Sequence, residues 1–293
     1  MKFVFLVLHY KTSLVTERCV NSILKYEKAK IIIIDNGSND GSGEFLMEKY
    51  KNTKNVFVLI SNKNLGFSDG NNYAFEYIND EKIDYDFIIC CNNDLVFEQK
   101  DFLDILIDVY NDNKVPVIGP DILMYKDKNI HQNPLRFCAR NISEIEEYKK
   151  EINNNIKNIN YLSLKLRLKK ILSVFLKDKT RNSLDNFDYT IEKKGVCLSG
   201  SCLIFTPTFF TSYKKLFFPS TFFYHEEEIL YYRLSNKGLE MLYTPKLQVL
   251  HDHSVSTNKS FSSEKEKLLF KYRNNLKGCN ILLDYINGDK NEE

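Results

Sequence analysis

The 293-residue chain carries 41 basic and 39 acidic residues, a formal net charge of +2. That balance does not predict bulk electrostatic binding to nucleic acid and leaves only local basic stretches as a route to it, and the length suits one large domain or two small ones. Seven cysteines with an adjacent pair, Cys90-Cys91, and no C-x-x-C spacing point to a reduced, cytoplasmic chain rather than a disulfide framework or a zinc module.

The apolar run Lys2–Leu8 is too short for a signal-peptide core with its cleavage site and reads as a first strand. No run approaches the roughly eighteen apolar residues of a membrane span. The expectation is a soluble chain, or one that lies on a membrane without crossing it. Strand-like runs follow at Lys30–Ile34, Asn55–Ile60, Asp86–Cys90 and Val115–Gly119, after the first at Phe3–Leu8. Helical patterns lie between them, near Val15–Lys25, Gly43–Tyr50, Ser68–Ile78 and Asp101–Tyr110. This alternation predicts a doubly wound, mostly parallel sheet.

From about Ile122 to Lys194 the rhythm breaks into a segment rich in Asn, Lys and Glu, with helical stretches at Ser143–Ile156 and Tyr161–Leu176. The second stretch is basic and amphipathic. It reads either as a surface helix packed on the body or as a helix lying on anionic lipid through 162–176. Beyond it, Gly195–Thr206 reads as strand, turn and strand, Glu226–Lys237 as a helix stopped by Gly238, Lys246–Leu250 as a strand and Glu264–Ile286 as a last helix. The division expected is 1–121, a mostly helical insertion at 122–194, 195–256, and a helix and tail at 257–293.

Several strand ends carry polar residues: His9-Tyr10, Asp35, Asn62 to Asn64 and Asn92-Asn93-Asp94. Ligands of open α/β sheets bind outside the carboxyl ends of strands. The run Ile31–Ile34 reads as a strand buried on both faces, and it ends on Asp35 before the Asn36-Gly37 turn. Asn92-Asn93-Asp94 offers hard oxygen ligands for a divalent ion, although such a triplet also caps loops. His225-Glu226-Glu227-Glu228 opens a helix, where carboxylates suit the dipole. A half-buried carboxylate among like charges also suits a general base. His251 offers an imidazole at a strand end, with His253 on the same face if the strand continues. Asn64 to Asn72 is a glycine-bearing turn entering a helix. It lacks the G-x-G-x-x-G and P-loop spacings, so nicotinamide enzymes and P-loop NTPases fit poorly.

Taken in order, Asp35–Ser42, Asn64-Leu-Gly-Phe67 with Gly70-Asn-Asn72, Asn92-Asn-Asp94, Gly200, Tyr224–Leu230 with Arg233 and Gly238, and His251 resemble the inverting glycosyltransferases of family 2, especially bacterial rhamnosyltransferase-like members. Arg273-Asn274 is also family-like. The resemblance implies a GT-A fold: a Rossmann-like, mostly parallel sheet flanked by helices, here with a helical insertion and a C-terminal helix. It implies a nucleotide-sugar site in which Tyr10, beside His9, lies against the base. Asp35, near Gly37, hydrogen-bonds base or ribose, and Asn64 and Gly66 shape the wall. Asn93 and Asp94 occupy the D-x-D-like position, and Asp94 and His251 would hold Mn2+ or Mg2+. Glu227 stands at the catalytic base, with Glu226 as the alternative.

The familiar E-D-x-D-L pattern is Glu226-Glu227-Glu228-Ile229-Leu230 here, so glutamate replaces the base aspartate. The partners implied are a nucleotide-sugar donor, dTDP-rhamnose or a UDP-hexose, and an oligosaccharide or lipid-linked glycan acceptor at the inner face of the cell membrane. The competing readings are a nucleotidyltransferase and a catalytically silent nucleotide-sugar-binding protein.

Overall fold

In the computed structural model, residues 1–173, 184–252, 261 and 263–288 are described, those of 167–173 without their side chains. The first half alternates as β1 (Phe3–His9), α1 (Ser13–Ile23), β2 (Ala29–Asp35), α2 (Ser42–Tyr50), β3 (Val56–Ile60), α3 (Gly66–Asp80) and β4 (Phe87–Asn92). It continues through β5 (Leu95–Val96), α4 (Phe102–Asn113), β6 (Val117–Met124) and β7 (Asp127–His131). Two helices follow, α5 (Ile142–Lys157) and α6 (Ile159–Ser173). The chain then gives β8 (Lys193–Lys194), β9 (Cys202–Phe205), α7 (Pro207–Phe210), α8 (Glu226–Ser235), β10 (Met241–His251) and α9 (Glu264–Ile286).

The sheet order is β3-β2-β1-β4-β9-β6-β10-β5, with β7 added to β6 and β8 to β10. β3, β2, β1 and β4 run parallel, β9 runs antiparallel between β4 and β6, and β10 is parallel to β6. Both faces are covered, which is why the early strands are continuously apolar. Phe3, Phe5, Ile31, Ile33 and Ile89 face α1, α2 and α4, where Val20, Ile23, Leu46 and Leu106 meet them. Val4, Leu6, Ile32, Ile34 and Ile88 face Phe75 and Ile78 of α3 and Leu230 and Leu234 of α8. Each fully buried isoleucine of the Ile31–Ile34 run contributes roughly 1.5–3 kcal/mol. A separate cluster of Ile145, Ile152, Ile229, Cys279 and Leu282 joins α5 and α9 to the start of α8.

Three places depart from the expected elements. β6 continues through Pro120 to Met124 and folds back as β7, so the first part of the 122–194 segment belongs to the sheet. Proline normally ends or demotes a strand because it cannot donate to the ladder. Here the partner strand β10 shifts register between Thr244 and Gln248, opposite Pro120 and Asp121. β10 is accordingly longer than the predicted Lys246–Leu250. The expected strand from Gly195 shrinks to Lys193–Lys194 and a single bridge between Arg136 and Cys197. All seven cysteines are free thiols, and six of them are buried.

Candidate active site

Register brings the polar strand ends together. His9 pairs with Asp35, Asp35 with Ile60, and Leu8 with Asn92. Above them opens a cavity of about 310 Å3, lined by Leu8, Tyr10, Asn36, Asn64, Asn92, Asn93 and Asp94, with Phe223, Phe261 and Phe270 as its apolar wall. The Asn36 side chain closes one side. Its Nδ2 donates to the Gly66 carbonyl at 2.8 Å, and its Oδ1 accepts from the Leu65 N–H at 2.8 Å. Asn64 Oδ1 in turn accepts from the Gly66 N–H at 2.8 Å.

The two turns approach so closely that side chains would collide. A Cβ on Gly37 would lie 2.3 Å from the Lys63 carbonyl carbon, and one on Gly66 2.3 Å from the Phe222 oxygen. Both glycines also hold positive φ, +71 and +77, which L side chains rarely adopt. Their contribution is close packing of loops rather than lining of the cavity.

His9 and Asp35, expected in the nucleotide site, lie beneath it. His9 is fully buried, with Nδ1 2.7 Å from Thr16 Oγ1 and Nε2 2.9 Å from Ser42 Oγ. Burial lowers its pKa to about 4, so it is a neutral clamp between α1 and α2. The Asp35 carboxylate accepts from the Ser38 N–H at 3.1 Å and from the Ser38 hydroxyl, and packs against Gly43. Burial raises its proton affinity, against the Ser38 hydrogen bonds. Asn93 turns its amide toward α1, donating to Thr12 and Thr16 hydroxyls at 2.8 Å each.

Asp94 and His251 come together because β5, directly after Asp94, pairs antiparallel with the end of β10: Leu95 stands opposite His251. The Asp252 N–H also donates to the Asp94 carbonyl at 2.9 Å. His251 Nε2 lies 3.0 Å from Asp94 Oδ1, both nearly buried, while Nδ1 lies 2.7 Å from Gln132 Oε1. With Nδ1–H donating to Gln132, Nε2 and the carboxylate present facing lone pairs, which a proton or a cation between them satisfies. Their 3.0 Å spacing is also that of neighbouring ligands each about 2.1 Å from one octahedral ion. A carboxylate and an imidazole fit Mn2+ or Mg2+. Among the described residues no third His, Cys, Asp or Glu joins them, so further ligands would come from solvent and a bound diphosphate. His253 lies outside the described residues.

The three consecutive glutamates occupy different environments. Tyr224 and His225 both adopt left-handed backbone, φ 72 and 70, immediately before α8. Such a pair is strained and is held by α9: His225 Nε2 meets Cys279 Sγ at 3.3 Å, and Gly278 leaves room for the Tyr224 carbonyl. Glu228 is buried against His225 Nδ1 at 2.8 Å and Arg140 Nη1 at 2.7 Å. Burial opposes its charge, yet the His225 and Arg140 contacts bring its pKa down to about 2. Glu226 is buried and accepts from the Thr221 hydroxyl at 2.9 Å. Burial and then Glu227 push its proton affinity well up.

Glu227 is half-buried, and burial raises its proton affinity too. Its Oε1 accepts from the Gly200 N–H at 3.1 Å, and a Cβ on Gly200 would stand 2.7 Å from that oxygen. The next residue, Ser201, accepts from the Asn92 N–H at 3.0 Å. Glu227 is thereby tied, through Gly200 and Ser201, to the floor of the cavity.

The structure therefore gathers Tyr10, Asn64, Asn93 and Asp94 on one cavity, with His251 behind Asp94, and sets His9, Asp35, Gly37 and Gly66 in its supports. Sequence reading named Asn36 as a turn residue and Asn92 within the Asn92-Asn93-Asp94 triplet without placing either on a cavity wall, and it missed Gln132, Phe261 and Phe270, which carry no local signal. Of the segment at 162–176, residues 174–176 lie outside the described residues. α6 packs on α9 and leaves Tyr161 and Leu164 exposed. No helix among the described residues is long and apolar enough to cross a membrane.

Comparison with known proteins agrees with the fold. Poly-beta-1,6-N-acetyl-D-glucosamine synthase of Staphylococcus aureus (strain COL) is 30% identical over 97 residues, which is 32% of this chain and 22% of that protein. The matched part is thus about a fifth of the relative's length. Among solved structures, GalNAc-T7 with UDP, GalNAc and Mn2+ superposes with a TM-score of 0.58 at 13% identity, covering 86% of this chain and 44% of that one. S. aureus TarS 1–349 gives 0.52 at 13% identity over 86% of this chain and 60% of that one. The mannosyltransferase PcManGT from Pyrobaculum calidifontis, with GDP-Man and Mn2+, gives 0.51 at 9% identity over 99% and 76%. At these identities the superpositions show the fold, which is GT-A. Residues 5–174, more than half of the chain, match the family described as Glycosyl transferase family 2, and the chain belongs to that family.

Proposed function

We propose that this protein transfers a sugar, with inversion, from a nucleotide-diphosphate donor to a hydroxyl of a growing surface glycan. The observation that carries the reading is Glu227: half-buried, with raised proton affinity, and anchored by Gly200 to the floor of the strand-end cavity. The donor proposed is dTDP-rhamnose or a UDP-hexose. Support for a nucleotide donor comes from the fold's occupants elsewhere, UDP in GalNAc-T7 and GDP-Man in PcManGT.

In this reading Tyr10, Asn36 and Asn64 take the nucleoside, and Asn92 and Asn93 the region of the sugar and phosphates. Asp35, from below, holds the Ser38 turn in place. The acceptor oxygen attacks the anomeric carbon as the carbon–oxygen bond to the diphosphate breaks. Glu227 receives the acceptor proton, and the bonding pair leaves with the nucleoside diphosphate. Glu226, fixed by Thr221 and raised in proton affinity by burial, tends to hold its proton and so to limit negative charge beside the base. Asp94 and His251 would hold a divalent ion, which when bound supplies charge neutralisation for the leaving diphosphate. The exposed apolar side chains at the start of α6 are compatible with peripheral contact at the inner membrane face through 162–176.

The test is a panel of nucleotide sugars with Mn2+ or Mg2+, scored by thermal shift and nucleotide release. Glu227→Gln should keep the donor-induced shift and lose transfer by about a hundred- to ten-thousandfold. Full transfer by that variant would overturn the assignment.

A further inference from the structure

Residues four apart stack along one face of a helix, so Lys265, Leu269, Arg273 and Lys277 of α9 form one ridge. Glu266, Phe270 and Asn274 form the ridge beside it. Both ridges, with Phe222 opposite, enclose a second cavity of about 640 Å3. Phe270 and Phe261 line this cavity and the nucleotide cavity alike, so the two are neighbours across an aromatic wall. The wall is anchored: the Phe222 carbonyl accepts from the Phe67 N–H at 2.7 Å and rests on Gly66.

Lys265, Arg273 and Lys277 are exposed, and none has a carboxylate partner among the described residues. Around the apolar floor of Phe222, Leu269 and Phe270 the lining sets three cations against one carboxylate, Glu266, which stands about two turns of helix from Arg273 and three from Lys277. Arg273 and Lys277 are one turn apart, about 5–6 Å between Cβ atoms, a separation a phosphate or diphosphate bridges. The donor's own diphosphate is provided for across the wall, beside Asp94 and His251. These cations face a second anion.

We propose that this cavity seats a phosphate-bearing acceptor, with Arg273 and Lys277 holding its phosphate and Phe222 and Phe270 packing on its apolar part. This rests on the sugar-transfer reading, and it adds the chemical class of the acceptor. Planar guanidinium is the better of the two for phosphate because it donates in a fixed fork.

The test uses calorimetric titration of the full chain with a synthetic farnesyl diphosphate-linked N-acetylglucosamine, with inorganic pyrophosphate, and with octyl N-acetylglucosaminide as the phosphate-free control. UDP and dTDP are titrated in parallel. The wild type should bind the diphosphate-linked probe more tightly than the control. The double variant Arg273→Gln/Lys277→Gln should weaken that binding at least tenfold while nucleotide affinity stays within twofold. Unchanged probe binding in the variant, equal binding of the phosphate-free control, or parallel loss of nucleotide affinity would each overturn the proposal. Intact nucleotide binding with no probe binding sinks the acceptor pocket alone. Absence of nucleotide binding by the wild type sinks the sugar-transfer reading itself.

Discussion

At the scale of single residues, three adjacent glutamates illustrate how environment assigns chemistry. Position alone leaves Glu226, Glu227 and Glu228 equivalent as first-turn carboxylates. Burial without a cation raises the proton affinity of Glu226, while His225 and Arg140 lower that of Glu228. Glu227 lies between these extremes, half-exposed and next to Gly200. A base must be deprotonated to accept the acceptor's proton, and burial raises the proton affinity of Glu227. Activity should therefore rise with pH, and the acid limb of kcat/KM should lie above the ordinary glutamate value of 4.5. A pH–rate series under saturating metal measures it. An acid limb at or below the ordinary value would contradict the role.

At the scale of elements, turns do the positioning. Asn36 closes the 64–66 turn against the end of β2, satisfying a backbone donor and a backbone acceptor with one side chain. Asn36→Ala would leave the Leu65 N–H and the Gly66 carbonyl without that partner, at about 1–3 kcal/mol for each group that stays buried. The expected result is a lower denaturation midpoint together with a raised donor KM. A raised midpoint, or an unchanged KM, would show that the turn is held otherwise. The sequence made the turn visible through its Asn-Gly pair. It could not show that the asparagine reaches across to another loop, because that contact spans about thirty residues of chain. The same limit applies to β6 and β10: the apolar run stops at Gly119, before Pro120, and the register shift that lets β6 continue lies on a strand far along the chain.

For the molecule as a whole, buried titratable groups set the response to acid. His9 has a folded pKa near 4 against an ordinary 6.5, since burial disfavours its charged form. The unfolded chain takes up that proton first, so stability is full above about 6.5 and is lost as pH falls toward 4. Glu228, held to about 2 against an ordinary 4.5, adds a second loss between those values. Urea midpoints measured across this range should fall in two stages, and His9→Gln should flatten the upper one. A midpoint constant between pH 6.5 and 4 would rule out the His9 contribution.

The sequence by itself determined the parallel half of the sheet, because the apolar runs of β1, β2 and β4 and the helices between them are local signals of burial on both faces. It also marked Asp35, Asn64, Asp94, Glu227 and His251, because polar residues at strand ends and helix starts stand out against that pattern. Tertiary structure alone decided their parts. Pairing of β5 with β10 set His251 against Asp94, the Gly200 N–H met the Glu227 carboxylate, and close loop packing placed His9 and Asp35 under the cavity instead of in it. Hydrogen bonds, register and burial between distant segments carry no local signature, and those are the forces that separate a binding residue from its support.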